Sequence, residues 1–446
     1  MSWTLCVDFG TAFSKAAAAP SDAWARFNPE RVRPLMLNQQ GEGNPFLLDS
    51  AVFVDDDRIL FGRAALARAG SDPNSRRAAL RSFKTLLSVG DLERALNTSA
   101  PVSIDPHRMF SMRDLIALYL SHLTACIARA IGADPELSGA DLAMRYAAPA
   151  WRSSDGANAH ANITRLFGEA AALRLRLGAD VLSPGGVGLQ AARAGLDATR
   201  GAGAPEMGLI FEATAAAAYS SIGLENAASH LIVVDMGAGT TDIAALAATG
   251  GRLGEISEAR VTLKQAGDFI DGVIANIALD AHGKLKTAAQ QAEFWRVIMA
   301  DMRGFKETLF ATGRAALRFD KRIVKVAVKD LERDKDFRLF AGALTGAYER
   351  GIGALRDRAL ADGRREVEAI AVGGGAAAPF IKALVQRKPR NAGKIKVIAR
   401  PATPAWAHAP AFNGNLAPVF PQLAIAIGGA LAPESMIAAR GGVSKA

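Results

Sequence analysis

Two stretches with one shared pattern decide how this chain folds: LCVDFGTAFSKAA at residues 5–17 and IVVDMGAGTTDIAA at residues 232–245. Each is an apolar run followed by Asp, one variable residue and Gly, and then by a second apolar run. Such runs favour buried strands, and the small residues between them favour a tight turn. Each stretch therefore predicts a β-hairpin, and two similar hairpins about half a chain apart predict two similar domains.

The turns of both hairpins are suited to a phosphate group. Small residues let consecutive backbone N–H groups face an anion without Cβ atoms in the way. The turn residues are Gly10, Thr11 and Ala12 in the first hairpin, and Gly237, Ala238, Gly239 and Thr240 in the second.

The strand before each turn ends with a carboxylate, Asp8 in the first hairpin and Asp235 in the second. These carboxylates would repel phosphate unless a divalent cation or its waters lay between them. Magnesium fits, because it keeps most of its waters and is usually held by one or two carboxylates plus phosphates. A single Asp-x-Gly is more often an ordinary turn with a capping Asp, but two copies favour the phosphate interpretation.

A third glycine cluster, Gly373, Gly374 and Gly375, lies within EAIAVGGGAAAPFIKALV at 368–385. A glycine-rich turn from a strand to a helix brings the backbone and the helix N-terminus close to a ligand. The cluster lacks the G-x-G-x-x-G form, and the chain has no G-x-x-x-x-G-K-[ST] segment. Dinucleotide-fold and P-loop interpretations are therefore not supported.

The composition limits which class of protein this chain belongs to. The 446 residues, 50% hydrophobic and 22% charged, predict a globular chain of two or three domains rather than a disordered one. The formal charge of +9 suits anionic ligands but is spread too thinly to mark a nucleic-acid surface. The basic stretches at 321–329 and 387–400 alternate charge with β-branched residues, which is typical of half-exposed strands.

The location of the protein is predicted from what its segments lack. Cys6 and Cys126 cannot build a disulfide framework, and the histidines and cysteines do not have zinc-ligand spacing. The first residues have no basic region, and no apolar stretch is expected to approach the roughly 18 to 20 residues of a membrane helix. We therefore expect a cytoplasmic protein without a membrane span.

Six motifs resemble those of the actin-like ATPases, and most closely the nucleotide-binding domain of the heat shock protein 70 family. In chain order they are VDFGTAFSK, MRYAAPAW, IFEATAAAAYS, VVDMGAGTTDIA, IAVGGGAAAPFI and FPQLAIAIGGAL. They resemble the first phosphate loop, the first connecting segment, a helix start, the second phosphate loop, the adenosine loop and the second connecting helix. The resemblance implies an α/β actin-like ATPase fold, with two duplicated lobes, mixed sheets flanked by helices, and a nucleotide cleft between the lobes.

The resemblance also implies roles for particular residues. Asp8 and Asp235 would hold magnesium through water, and Glu212 would lie near the attacking water. Lys84, in LRSFKTLLS, matches a lysine that reaches the γ-phosphate and is required for hydrolysis. The residues expected to bind ATP or ADP are Gly10, Thr11, Ala12, Lys15, Gly237, Ala238, Gly239, Thr240, Lys306, Gly373, Gly374 and Gly375. The residues expected to act in catalysis are Asp8, Lys84, Glu212, Asp235 and Thr240.

The sequence also departs from the family pattern. Lys15 stands where the chaperones have a small residue and actin has a phosphate-contacting lysine, so it is expected to supplement or replace Lys84. Around the adenosine-packing Lys306, different residues replace the family's glutamate, basic residue and serine, and an arginine that stacks on adenine is missing. Those three replacements are Arg303, Glu307 and Phe310. Ala376, Ala377 and Ala378 occupy the stretch where the family has the arginine, and Gln422 stands where the family has an aspartate in the second connecting helix. Selectivity for adenine over guanine stays open.

We place lobe I at residues 1–208, completed by 421–446, and lobe II at 209–420. The apolar spacing of residues 112–132 predicts a helix that covers a sheet. The segment between Pro149 and Glu212 is longer than the family pattern and rich in Gly, Ala and Pro. It is expected to be a surface helical insertion with flexible flanks, with a partner-docking surface as the alternative.

The resemblance implies a chaperone-like protein that binds and hydrolyses magnesium ATP to drive lobe closure, with a protein client or co-chaperone as partner. The fifteen residues after Leu431 are too few for the family's peptide-binding domain, so we expect a lone two-lobed ATPase. One alternative is a nucleotide-binding regulatory or scaffold module with little turnover. Another is an actin-like cytoskeletal filament protein, or a small-molecule kinase that shares the fold.

Overall fold

The computed structural model describes residues 2–39, 43–71, 77–83, 92–149, 156–203, 206–222, 230–249, 252–412 and 414–436. The chain forms two compact units, each built from segments that are not contiguous in sequence. The first unit comprises Met1–Leu231, Leu246–Ile256 and Pro401–Ala446. The second unit comprises Ile232–Ala245 and Ser257–Arg400.

The described strands and helices alternate along the chain. The strands are β1 (Ser2–Phe9), β2 (Phe13–Pro20), β3 (Arg33–Pro34), β4 (Leu48–Asp49), β5 (Val52–Val54), β6 (Arg58–Phe61), β7 (Asp141–Ala148), β8 (Val187–Gly188), β9 (Met207–Phe211), β10 (His230–Met236), β11 (Thr241–Thr249), β12 (Arg252–Glu255), β13 (Val261–Leu263), β14 (Arg314–Phe319), β15 (Arg322–Ala327), β16 (Glu366–Val372) and β17 (Lys396–Ala399). The helices are α1 (Gly62–Ser71), α2 (Leu92–Asn97), α3 (Met112–Ala133), α4 (Gly156–Leu177), α5 (Leu189–Thr199), α6 (Glu212–Ser221), α7 (Gly267–His282), α8 (Ala288–Ala300), α9 (Met302–Thr312), α10 (Val328–Arg333), α11 (Lys335–Ala361), α12 (Pro379–Gln386) and α13 (Phe420–Leu431).

Two sheets repeat one topology. The first has the strand order β3-β2-β1-β7-β9, with β4 beside β2, and the second has the order β12-β11-β10-β16-β17, with β13 beside β11. In the first sheet β1 and β2 are antiparallel, whereas β1, β7 and β9 are parallel. In the second sheet β11 and β12 are antiparallel, and β16 and β17 are parallel. The predicted hairpins and the predicted duplication are confirmed.

The helix predicted at 112–132 is α3, and it is a core helix of the first unit. Its Ser111 N-cap accepts from the Asp114 N–H, and the Asp114 carboxylate accepts from the Ser111 N–H. By length and composition α3 is apolar enough to cross a membrane, so the expectation that no stretch approaches this limit is wrong. Leu115, Leu118 and Leu123 are fully buried, and a helix buried on most sides is apolar on most sides for that reason.

The segment after Pro149 is not a surface insertion. Helix α4 packs against α3, and α5 packs against α4. Phe167 and Leu173 on α4 and Ala192 on α5 are almost completely buried in the core of the first unit. The small residues that suggested a surface helical insertion instead let these helices approach closely, since a Cβ at Gly195 would lie 2.7 Å from Leu173 Cδ1.

The observed unit boundaries differ from the expected 208/209 and 420/421. Strand β9 pairs with β7 in the first sheet, so residues after 208 belong to the first unit. Residues before Phe420 also belong there, because the Trp406 ring lies 5.2 Å from the Phe420 ring. The Tyr219 hydroxyl donates to the Ala402 carbonyl at 3.3 Å.

The final helix, α13, lies against β1, β2 and α6 of the first unit. At Gly428 a Cβ would stand 1.9 Å from the Ala215 carbonyl oxygen, and at Gly429 it would stand 2.3 Å from Cys6 Sγ. Arg145 on β7 donates to the Gly429 and Ala432 carbonyls at 3.1 and 2.7 Å, which satisfies the end of this helix. The G-G of FPQLAIAIGGAL is therefore a packing requirement.

The basic stretches are partly strand. Strand β15 alternates exposed and buried residues from Ile323 onward, as predicted for a half-exposed strand. Of residues 387–400, only Lys396–Ala399 form a strand.

Candidate functional site

The first turn, in the first unit, lies at the carboxyl end of β1. Asp8 and Lys15 face each other across the hairpin, and Lys15 Nζ donates to Asp8 Oδ2 at 2.6 Å. Both side chains are largely buried, with 2% of Asp8 and 11% of Lys15 exposed. The ammonium group therefore neutralises the carboxylate, and the electrostatic objection to a phosphate beside Asp8 is removed.

Lys15 also reaches the turn itself. A Cβ at Gly10 would lie 2.9 Å from Lys15 Nζ and 2.3 Å from the Phe13 carbonyl oxygen, so only glycine fits there. The N–H groups of Gly10, Thr11 and Ala12 make no hydrogen bond to another described residue. A cation beside consecutive N–H groups in one turn is the arrangement that suits an anion.

Glu212 lies at the same edge of the first sheet as Asp8. In the parallel register Asp8 is beside Ala147, and Ala147 is beside Ile210, two residues before Glu212. Strands are about 4.8 Å apart, so Asp8 and Ile210 are separated by two strand spacings, or roughly 10 Å, and Glu212 lies two residues beyond Ile210 at the carboxyl edge. Burial, and then the negative charge of Asp8 and of Glu212, raises the pKa of Cys6 well above its usual range, with Arg145 opposing.

Asp8 passes a direct test for a magnesium site. Its Oδ1 is buried and has no hydrogen-bond partner among the described residues, although Oδ2 is bonded to Lys15. A buried carboxylate oxygen left in this way is suited to a cation or to a water that a cation holds. In the described part of the chain, no group of three or more His, Cys, Asp or Glu residues has the arrangement of a metal site. A magnesium held by single carboxylates, waters and phosphates does not need such a group.

The second turn, in the second unit, is held by the start of α7. Gly267 N–H donates to the Gly237 carbonyl at 3.2 Å, and Asp268 N–H donates to the Ala238 carbonyl at 2.8 Å. In a trans peptide the carbonyl and the following N–H point in opposite directions. The Ala238 and Gly239 N–H groups therefore point away from α7. Neither donates to another described residue, so the turn presents them together.

The glycine cluster lies against the second turn. Gly373 has a φ of 82°, and a Cβ there would lie 2.4 Å from Asp235 Oδ1. At Gly375 a Cβ would lie 2.5 Å from Met236 Sδ. The strand-to-helix turn predicted at 373–375 is confirmed, and it lies beside the carboxylate of the second hairpin.

Thr240 and Lys306 are engaged by side chains of their own unit. The Thr240 hydroxyl donates to Asp242 Oδ2 at 3.0 Å, which holds the hydroxyl at the end of the turn. Lys306 on α9 forms an ion pair with Asp271 on α7 at 2.5 Å. The predicted contact of Lys306 with adenosine therefore stays a prediction.

The divergent adenosine positions form protein contacts instead. Arg303 Nε donates to Glu307 at 2.9 Å on the exposed face of α9. The Phe310 and Phe380 rings are 6.3 Å apart in an edge-on arrangement. Lys84 lies outside the described residues, so its expected role is not addressed by these contacts.

Residues 177–318, about a third of the chain, match the sequence profile of the MreB/Mbl protein family. This region includes the second hairpin and the start of α7, and the two sheets repeat one topology with an Asp-x-Gly hairpin in each. The chain has the actin-like ATPase fold. MreB is a different branch of this superfamily from the heat shock protein 70 family, so the match supports the predicted superfamily and not the predicted family. No significant match to a curated protein was found.

The structure confirms that both predicted turns are hairpin turns, and it adds how each turn is supported, which the motifs do not predict. The binding of phosphate by these turns stays a prediction. The Lys15–Asp8 ion pair follows from the hairpin register, since the two residues are equally far from the turn. That signal was present in the sequence. The hold of α7 on the second turn joins residues about thirty positions apart, and no local pattern predicts it.

Proposed function

We propose that this protein is a magnesium-dependent, nucleotide-binding actin-like ATPase of the cytoskeletal type, in which the bound nucleotide controls association between copies of the chain. The observation that carries the proposal is the pair of phosphate turns, each with a carboxylate at the end of its leading strand. A cytoplasmic location is consistent with this function and is part of the proposal.

The first unit supplies the charged side chains Lys15, Asp8 and Glu212 of the proposed mechanism. Lys15 and the N–H groups of Gly10 to Ala12 bind phosphate oxygens, and Lys15 also forms the largely buried ion pair with Asp8. Glu212, buried at the start of α6, orients the attacking water for in-line displacement. Asp8 would hold magnesium through water, as would Asp235 at the second turn, and the ion would supply positive charge that offsets the charge of the phosphates.

The second unit supplies binding rather than proton chemistry. The Ala238 and Gly239 N–H groups point away from α7 and are suited to phosphate oxygens. The close approach of Gly373 to Asp235 leaves no room for a side chain there.

Assembly is favoured over chaperone action by the profile match. The matched family is MreB/Mbl, and the match covers the second hairpin. The partner that this proposal implies is a second copy of the chain rather than a client protein.

Binding and assembly are tested together. Calorimetry with ATP and magnesium is expected to give one nucleotide per chain, and sedimentation is expected to give more pelleted protein with ATP than with none. Asp8→Asn and Asp235→Asn should each abolish both effects, because each removes a carboxylate of one turn. Asp141→Asn is the matched control, since Asp141 is exposed at the other end of β7, where it pairs with Ser2. Two nucleotides per chain, or equal binding by all four proteins, would contradict the proposal.

A binding module with little turnover is the second candidate. It is favoured by the adenosine positions, where Arg303 and Glu307 bond to each other. Steady-state phosphate release by the wild type beside Glu212→Gln separates the two. Equal and negligible release by both proteins, with tight binding, would favour the module, and a comparison of ATP with GTP shows whether the base is selected.

A further inference from the structure

Three hydroxyl groups form a closed cluster directly beneath the first turn. Ser14 Oγ and Ser50 Oγ are 3.0 Å apart, and Tyr119 Oη lies 3.0 Å from Ser14 Oγ and 3.4 Å from Ser50 Oγ. The exposed fraction is 0% for Ser14 and Tyr119 and 1% for Ser50. Three polar groups are thus buried together and satisfy one another.

The cluster is attached to the turn through the backbone. The Ser50 N–H donates to the Ala12 carbonyl at 2.9 Å, and Ser14 is one residue before Lys15. Strand β4 pairs with β2 at Phe13 and Ser14, immediately after the turn. The backbone of Ser50 is therefore bonded to the last residue of the first turn, while its hydroxyl is part of the cluster.

Tyr119 also links the turn to a second segment. Its ring stacks on Phe83 at 4.8 Å and on Phe9 at 5.7 Å, and Phe9 stacks on Phe83 at 5.7 Å. Phe9 is between Asp8 and Gly10 in the sequence. Through its hydroxyl and its ring, one side chain on α3 holds both flanks of the first turn.

The burial of these hydroxyls indicates a positioning role. Buried hydroxyls add little net stability over apolar groups of the same shape, because their desolvation offsets most of the hydrogen-bond energy. What they add is direction, since hydrogen bonds fix the angle as well as the distance of their partners. Burial raises the pKa of Tyr119 well above its usual range, so the phenol stays a donor at all ordinary pH values.

We propose that Ser14, Ser50 and Tyr119 are positioning residues that set the first turn in its phosphate-binding shape. This inference rests on the proposed nucleotide function. It predicts that loss of the cluster weakens recognition of the phosphates and leaves recognition of the nucleoside unchanged.

The test compares two ligands in the full chain with magnesium present. Tyr119→Phe keeps the ring stack and removes the hydroxyl. We expect it to weaken ADP binding about tenfold, the equivalent of about one hydrogen bond, and to leave adenosine binding unchanged. Ser121→Ala is the matched control, because Ser121 is fully buried on the same helix and donates only to its own helix, at the Leu118 carbonyl. It should leave both affinities unchanged.

Coupling between the hydroxyls gives a second readout. Ser50→Ala should weaken ADP binding about as much as Tyr119→Phe does. The double variant should bind ADP no more weakly than the single variant with the lower ADP affinity, because both changes act through one cluster. If Tyr119→Phe does not fold, the affinities for ADP and adenosine are compared in Ser14→Ala and Ser50→Ala instead. An unchanged ratio of ADP to adenosine affinity in folded variants would overturn this inference alone. Failure of the wild type to bind ADP would overturn the proposed function and this inference together.

Discussion

At the scale of single residues, the pairing of Asp8 with Lys15 governs what the first turn can bind. A carboxylate that is 2% exposed costs several kcal/mol to keep ionised unless a cation accompanies it. Lys15 provides that cation across the hairpin and leaves two of its three N–H donors for other partners. Lys15 is therefore expected to act on the stability of the hairpin and, under the proposed function, on its affinity for phosphate.

Lys15→Met is expected to destabilise the protein by about 3–5 kcal/mol, because it leaves Asp8 buried without a counter-charge. Urea unfolding monitored by circular dichroism measures the change. The double variant Asp8→Asn, Lys15→Met should recover most of the lost stability, since no charge is then left unpaired.

Nucleotide binding separates the two roles of Lys15. The double variant should be folded and unable to bind ATP with magnesium. A Lys15→Met protein as stable as the wild type, with full ATP affinity, would show that Lys15 is only a strand residue and would leave Lys84 as the phosphate lysine.

At the scale of elements, the contact between α6 and α13 shows how glycine sets helix packing. The Gly428 backbone lies against the Ala215 backbone, with no space for a Cβ. Because α6 begins with Glu212, the position of α13 also determines where that carboxylate stands. The same is true of β1, which carries Asp8 and packs on α13 through Cys6 and Gly429.

Gly428→Ala should destabilise the first unit by about 3 kcal/mol, since the added methyl group must push two helices apart. Gly342→Ala is the matched control, because Gly342 lies exposed in α11 with no heavy atom within 4 Å of its would-be Cβ. That change should stabilise the protein by about 0.5–1 kcal/mol through helix propensity. Thermal unfolding of both variants measures the difference, and a stable Gly428→Ala protein would refute the close packing.

At the scale of the whole molecule, the first unit is completed by a chain segment that is distant in sequence from its other parts. The first unit needs Pro401–Ala446, which carries α13, to cover β1 and β2. The second unit is completed by Ile232–Ala245, which carries the second hairpin, inserted before Ser257–Arg400.

A chain that ends at Arg400 is therefore expected to lose order in the first unit and keep it in the second. Hydrogen exchange measured by mass spectrometry should show faster exchange in β1, β2 and α6, because removal of α13 exposes their apolar surface to water. Exchange in α11 and β16 should stay slow. Unchanged protection of β1 in the shortened chain would mean that α13 is dispensable for the first unit.

Local patterns determined the parts of this protein whose chemistry lies within a few residues. The two hairpins, the glycine turn at 373–375 and the core helix α3 all follow from periodicity and turn residues in one stretch. The Asp8–Lys15 pair is also local, because a hairpin register is fixed by its turn.

Tertiary structure decided the rest, since packing between distant segments has no signature in local sequence. The Gly- and Ala-rich segment after Pro149 was expected on the surface, yet α4 and α5 are core helices because α3 covers them. The contacts of α7 with the second turn and the hydroxyl cluster beside the first turn each join residues that are far apart in the chain. The burial of Asp8 Oδ1 without a partner among the described residues is likewise visible only in the folded chain. The motifs indicate which groups are suited to phosphate, whereas the pairing, orientation and burial of those groups depend on contacts that form only in the folded chain.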